Sequence, residues 1–132
     1  MQTALANQDT TATLLCNTIQ LLAQKPSAWK HLRVELLGKG PHLMTFDGSR
    51  GNKLLNNVLF ESLCIRPVFP ILGRRALRDL TLPTGGGLNG NQLLHVPAGS
   101  NGLVNFWSKN LKPAVLGPDV NTFKPERWDT IR

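Results

Sequence analysis

The first forty residues carry apolar side chains at helical spacing. In one stretch these positions are Leu15, Ile19, Leu22 and Ala23. In the next stretch they are Trp29, Leu32, Leu36 and Leu37. Because residues three, four and seven apart share one face of a helix, each stretch predicts a helix with one buried stripe. Pro26 ends the first helix and opens the second, which stops at Gly38 and Gly40.

A third helix is predicted after a polar, glycine-containing loop over residues 39–52. The helix runs over residues 53–65, with Leu55, Leu59 and Leu63 on its expected core face. Pro67 prevents its continuation, because proline removes a helical hydrogen bond and clashes with the preceding turn.

Beyond residue 67 the pattern changes to short, strand-length segments separated by glycine-rich turns. The predicted strands are 74–77, 80–82, 93–96 and 103–106. One more helical turn is predicted at 105–111, and the remainder is irregular and punctuated by prolines. Helices followed by a small antiparallel sheet predict a mainly α fold with a small β portion. The predicted parts are a helical part, a β-rich part, and a short helix with an irregular segment: 1–66, 67–106 and 107–132.

Composition limits the class of protein. The 132 residues are 41% hydrophobic, which excludes a disordered tail, and the size suits one small domain or part of a larger one. No stretch of about 20 apolar residues occurs, so we expect no transmembrane segment, and the first residues do not resemble a signal peptide. We interpret the chain as incomplete. The three histidines share no ligand spacing and the cysteines form no metal motif, so no metal site is predicted.

The net charge of +7 raises the question of a nucleic-acid partner. Four arginines lie close together in the sequence: Arg66, Arg74, Arg75 and Arg78. No aromatic residues alternate with them to stack on bases, and no nucleic-acid motif accompanies them. We therefore favour a solvated strand edge, on which positive charge discourages pairing with another sheet.

Two motifs allow a structural and a chemical interpretation. Asp9 and Thr10 precede an apolar stripe, where they would cap a helix; the alternative is an acid–alcohol pair that relays protons to a bound reactant. Glu61 lies on a face expected to be buried, where a carboxylate needs a partner such as an arginine; the alternative is a rim position with the charge in water. Arg127, in an aromatic-flanked loop, is the predicted partner.

In this order the motifs resemble those of a cytochrome P450, a haem-thiolate monooxygenase. Residues 6–11 resemble the oxygen-activation motif [AG]-G-x-[DE]-T-[TS], residues 61–64 resemble E-x-x-R, and residues 125–128 match P-E-R-[FW]. Residues 82–87 and 96–99 are most similar to the fungal alkane and fatty-acid hydroxylase branch. The resemblance implies a partial P450 fold: a central oxygen-activation helix, two following helices, β-hairpins and an irregular C-terminal meander.

The resemblance also implies roles for residues. Asp9 and Thr10 would guide protons to the bound oxygen, and Ala6 and Arg74 would contact the haem (heme), Arg74 through a propionate. Glu61 and Arg127 would form a structural ion pair. The substrate pocket would include Val68, Phe69, Ile71 and Leu72. An NADPH-dependent reductase and an apolar small-molecule substrate are the implied partners, and intact eukaryotic relatives reside in the endoplasmic reticulum membrane.

Several positions depart from the family pattern. Cys64 replaces the arginine of E-x-x-R, Asn7 replaces a glycine, and residues 110–112 replace His-Arg-Asp. The haem-ligand loop F-x-x-G-x-R-x-C-x-G does not occur, so we expect no axial cysteine and an isolated chain without monooxygenase activity. The alternative hypothesis is a non-catalytic remnant or interaction module derived from the family. In either case we expect the chain to be marginally packed in isolation.

Overall fold

The computed structural model describes the backbone of residues 2–131 and the side chains of residues 8–43 and 45–131. The chain forms two compact units. The helical unit comprises the residues up to Pro70 and those from Trp107 onward, and the β unit is Ile71–Phe106.

The helical unit begins with four helices. In chain order they are α1 (Gln2–Ala23), α2 (Pro26–Gly38), α3 (Phe46–Arg50) and α4 (Lys53–Ile65), with a short 3-10 helix, Gly40–Met44, before α3. Its C-terminal part contains α6 (Pro113–Leu116) and a second 3-10 helix, Pro125–Asp129. The bounds of α4 are those predicted from the sequence, residues 53–65. Asn52 opens α4, because its Oδ1 accepts a hydrogen bond from the backbone N–H of Leu55 at 2.9 Å.

Two details of the helical prediction are wrong. The segment predicted as a loop contains the first 3-10 helix and α3; Thr45 caps α3 by accepting a hydrogen bond from the N–H of Gly48 at 3.0 Å. On α1 the buried side chains are Thr18, Leu21 and Leu22, whereas Leu15 and Ile19 are exposed. Leucines occupy two sides of α1, and packing against α4 selects one of them.

The buried face of α4 is mostly polar, which the leucine pattern did not indicate. Its buried residues are Asn57, Val58, Glu61, Ser62 and Cys64. Leu55, Leu59 and Leu63, predicted to face the core, are only half-buried. The apolar core of the unit consists of Leu21, Leu22, Leu32, Val58 and Phe123. Phe123 brings the C-terminal segment into the same core as α1, α2 and α4.

The β unit contains two separate ribbons rather than the single sheet predicted. β1 (Ile71–Arg75) pairs antiparallel with β4 (Asn101–Asn105), and β2 (Leu80–Gly86) pairs antiparallel with β3 (Gln92–Val96). Along the chain, the β2–β3 hairpin therefore lies between the two strands of the first ribbon. A Cβ atom at Gly86 would lie 2.2 Å from the carbonyl oxygen of Leu93, so the hairpin requires glycine there. After β4 the chain forms α5 (Phe106–Asn110), which lies within the helical turn predicted at 105–111. Phe106 belongs to the β unit and the rest of α5 to the helical unit.

Candidate functional site

The polar face of α4 directs one carboxylate into the interior. Glu61 is 1% exposed and accepts three hydrogen bonds from the C-terminal segment. The backbone N–H of Lys124 donates to Oε1 at 2.8 Å, the Arg127 Nε–H donates to Oε1 at 3.1 Å, and the Trp128 indole N–H donates to Oε2 at 2.8 Å. A buried carboxylate is tolerated only when its oxygens are satisfied in this way. The structure thus brings Glu61 and Arg127 together across 66 residues of sequence.

Arg127 uses all the N–H groups of its guanidinium. Besides the Nε–H bond to Glu61, Nη1 donates to the Leu116 carbonyl oxygen at 2.8 Å and to Asp119 Oδ1 at 2.9 Å. Nη2 donates to the carbonyl oxygens of Asp119 and Thr122, each at 2.9 Å. A guanidinium has five N–H donors, and five bonds are present. This side chain therefore holds the backbone of the irregular C-terminal segment in one shape and fastens it to α4.

A second ion pair extends this polar cluster, which we call the clamp. The Lys124 ammonium lies 2.8 Å from Asp119 Oδ2, so the clamp contains two carboxylates and two cations and is neutral overall. The hydrogen bond from Lys124 is the main cause that lowers the pKa of Asp119, and Arg127 lowers it further, while partial desolvation opposes the shift. Sequence reasoning missed Asp119, Lys124 and Trp128; only the indole of Trp128, which needs an acceptor when buried, offered a signal.

Cys64 is buried one turn beyond Glu61 on α4. Burial raises the pKa of its thiol, the negative charge of Glu61 adds to that rise, and the positive charge of Arg127 partly opposes it. The thiol is therefore protonated at neutral pH. Cys16, on α1, is exposed.

The residues predicted to act on oxygen lie within α1 and not at its start. Because α1 begins at Gln2, Asp9 does not cap the helix, and that interpretation is wrong. Asp9 is exposed and Thr10 is half-buried. The backbone carbonyl oxygen of Asp9 accepts a hydrogen bond from the Thr13 hydroxyl at 2.7 Å. The side chain of Ala6 lies outside the described residues.

The remaining predicted site residues are divided between the two units. Val68 and Phe69 belong to the helical unit, whereas Ile71, Leu72 and Arg74 lie on β1 in the β unit. Val68 and Leu72 are half-buried, and Phe69 and Ile71 are exposed. Arg74 is exposed as well, with Nη1 donating to the neighbouring Gly73 carbonyl oxygen at 3.3 Å.

Among the described side chains, no group of three or more His, Cys, Asp or Glu residues is arranged to hold a metal ion. Within the same residues, no helix is both long and apolar enough to cross a membrane.

The sequence model of the cytochrome P450 family matches residues 1–131. The chain belongs to the cytochrome P450 family. It is 36% identical over 130 residues to cytochrome P450 monooxygenase FPY7 of Fusarium mangiferae and 37% identical over 132 residues to cytochrome P450 52E1 of Candida apicola. Each match covers 97% of this chain but 25% of the relative. The chain thus spans about a quarter of the length of these P450s.

Solved P450 structures have the same fold over this portion. One crystal structure, of the P450 CYP102L1, matches 96% of the chain with a TM-score of 0.77 and 27% identity. A zebrafish P450 solved with progesterone matches 91% with a TM-score of 0.74 and 31% identity. The matched portion is 28% of the first solved chain and 27% of the second. The family resemblance and the mainly α fold with a small antiparallel β portion are confirmed.

Proposed function

We propose that this chain is a portion of a P450 monooxygenase whose whole form hydroxylates a C–H bond of an apolar small molecule, a fatty acid or an alkane. The whole enzyme uses haem and O2 and receives electrons from an NADPH-dependent reductase at the endoplasmic reticulum membrane. Family membership and the order of the motifs at residues 6–11, 61–64 and 125–128 support this proposal.

The observation that carries the proposal is the contact between Glu61 and Arg127. These residues come from two separate family motifs, and their side chains meet in the interior at 3.1 Å. Arg127 is 6% exposed, so the pair is shielded from solvent and its geometry is fixed by the five bonds of the guanidinium. The clamp therefore gives this portion a defined shape on which a site could be built.

The predicted acid–alcohol pair supplies proton-transfer groups to the whole enzyme. Thr10 presents a hydroxyl on α1, and Asp9 presents a carboxylate from the adjacent position on the helix. A hydroxyl can donate and accept a proton, and a carboxylate exchanges protons with water. Asp9 is exposed and Thr10 is half-buried, so the carboxylate can exchange protons with solvent. Arg74 would hold a carboxylate of the haem through its guanidinium.

The cysteines of this chain do not fit the axial position of a haem-thiolate enzyme. When haem is bound in such an enzyme, its thiolate ligand favours O–O cleavage. A ligating cysteine is deprotonated, whereas burial and Glu61 raise the pKa of Cys64. Cys16 lies within the helical run of α1, and the ligand-loop motif does not occur in the sequence. We therefore expect the isolated chain to be inactive as a monooxygenase.

The test is the spectrum of the purified chain mixed with haem, reduced and exposed to carbon monoxide. The expected result is no thiolate-type Soret band. A matched control is cytochrome P450 52E1 produced in the same way, which should show the band. A band from the isolated chain that disappears in Cys16→Ser or Cys64→Ser would overturn the proposed inactivity.

A second candidate function is a non-catalytic remnant or interaction module of the same family. Cys64 favours it, because a thiol cannot supply the charge of the arginine that the family motif places there. Asn7 and residues 110–112 also depart from the family pattern. Sequencing the DNA beyond the codon for Arg132 separates the two: an in-frame ligand loop supports the enzyme, and its absence supports the remnant.

A further inference from the structure

Two Asn-Gly pairs occur in the β unit, and their backbones lie in different environments. Asn89 and Gly90 belong to the turn between β2 and β3, outside both strands. Asn101 and Gly102 open β4, where they are paired with β1. Both asparagines are exposed, so access of water does not distinguish them. The two pairs therefore allow a matched comparison within one chain.

An asparagine that precedes glycine can react with its own backbone. The glycine nitrogen gives up its proton to hydroxide and bonds to the side-chain Cγ of the asparagine. The Cγ–Nδ2 bond then breaks, and ammonia leaves with a proton from water, which regenerates the hydroxide and leaves a cyclic succinimide. Water opens this ring at either carbonyl carbon and gives aspartate or isoaspartate, so no oxidant or reductant takes part. Glycine favours the attack because no Cβ atom shields its nitrogen or restricts its backbone.

The β2–β3 turn leaves the reacting nitrogen of Gly90 accessible. Its N–H donates to the carbonyl oxygen of Gly87 at 3.3 Å, beyond the usual range of such hydrogen bonds, so the proton is weakly held. A Cβ atom at Gly90 would meet no described atom within 4 Å apart from those of its chain neighbours. Turns of this kind also open at little cost in free energy, because few contacts hold them. The Asn89 side chain can therefore approach this nitrogen while the hairpin stays folded.

Strand pairing restrains the second Asn-Gly pair. Gly102 lies opposite Arg74 in the antiparallel β1–β4 ladder, and a Cβ atom at Gly102 would lie 4.0 Å from the Arg74 carbonyl oxygen. The ladder holds this backbone in the extended conformation. The ribbon must therefore open before the nitrogen of Gly102 can turn toward Cγ of Asn101, and that opening costs free energy.

We infer that Asn89 is a site of spontaneous deamidation through a succinimide, whereas the strand protects Asn101 from the same reaction. The product carries a carboxylate in place of an amide, which lowers the net charge of the chain from +7 by one unit. Its isoaspartate form also lengthens the backbone inside the turn, next to the hydrogen bond from the Gly85 N–H to the Gly90 carbonyl oxygen at 2.7 Å. The β2–β3 hairpin is thus the element that the modification alters.

The test is incubation of the full 132-residue chain at mildly alkaline pH, with trimethylamine oxide present to keep it folded. Chymotryptic digestion and tandem mass spectrometry then follow each site, since leucines between the two asparagines place them in different peptides. Asn89 should be converted at least about tenfold faster than Asn101, because only Asn101 must wait for strand opening. Isoaspartate should be among the products. In urea the two rates should become similar, because the strand no longer protects Asn101.

Two conservative variants provide the matched controls. Glutamine reacts far more slowly than asparagine because it would have to form a larger ring, so Asn89→Gln should abolish the fast release of ammonia and Asn101→Gln should leave it unchanged. Equal rates at the two sites in the folded chain, or a faster reaction at Asn101, would overturn the inference. A product that contains aspartate alone would also overturn it, because direct hydrolysis of the amide does not pass through a succinimide. The incubation contains no haem, so its outcome is independent of the proposed function.

Discussion

Trp128 donates its indole N–H to Glu61 Oε2 at 2.8 Å, while its ring packs 5.6 Å from the ring of Phe60. One side chain thus contributes a hydrogen bond to a buried carboxylate and apolar contact to the outer side of α4. The hydrogen bond matters more than its length suggests, because Glu61 is shielded from water that could replace a lost donor.

Replacing Trp128 by phenylalanine separates these two contributions. Trp128→Phe keeps an aromatic ring against Phe60 and removes the donor to Glu61. We therefore expect the free energy of unfolding to fall by about 1–3 kcal/mol. Urea unfolding followed by far-UV dichroism measures the change. Trp107→Phe serves as the control, because Trp107 is 52% exposed and should cost far less. Equal losses in the two variants would show that the indole bond contributes nothing.

Asp119 makes the stability of the clamp depend on pH in the acid range. Its pKa is lowered in the folded chain from the ordinary value of 3.8, mainly by the hydrogen bond from Lys124. A carboxyl whose pKa is lower when folded stabilises the fold fully above its unfolded pKa, and this contribution is lost as the pH falls through the folded pKa. Stability should therefore decline below about pH 3.8 less steeply in Asp119→Asn than in the unsubstituted chain. Urea midpoints measured across this range test the prediction, and identical profiles would refute it.

The two cysteines should differ in reactivity. Cys64 is buried and its thiol has a raised pKa, whereas Cys16 is exposed. The thiolate is the reacting form, so iodoacetamide at neutral pH should modify Cys16 much faster than Cys64. Mass spectrometry of the Cys16→Ser and Cys64→Ser variants gives the two rates separately. In denaturant the rates should converge; a difference that persists there would mean that the fold is not its cause.

The sequence predicted α4 well because its signals are local. The leucines at helical spacing and the prolines after Ile65 predicted its extent, and both signals act within a few residues. The structure adds the cap at Asn52, which is local as well. It also indicated that Glu61 would be buried and that an arginine would be its partner. Arg127 could be proposed because its motif places a guanidinium in a rigid loop.

Other features depend on contacts that no local pattern encodes. Leu15 and Ile19 have the spacing of a core stripe but are exposed, because packing selects Leu21 and Leu22 instead. Asp119 lies in an irregular segment, and its role arises only when the chain folds back on Arg127. The start of α1 was missed because the sequence before Asp9 shows no apolar stripe and no cap.

The most direct test of the account is a double-mutant cycle on the buried pair of the clamp. Arg127→Gln should destabilise the chain by about 3–5 kcal/mol, because it leaves the buried Glu61 carboxylate without a cation. Glu61→Gln should also destabilise it, but by less, because Arg127 keeps its ion pair with Asp119. The double variant should cost much less than the sum of the two, because it leaves neither charge behind. Urea unfolding in trimethylamine oxide keeps all four proteins folded at the start of the titration. Strong non-additivity is the predicted result, and losses that simply add would contradict the claim that Glu61 and Arg127 fasten the C-terminal segment to α4.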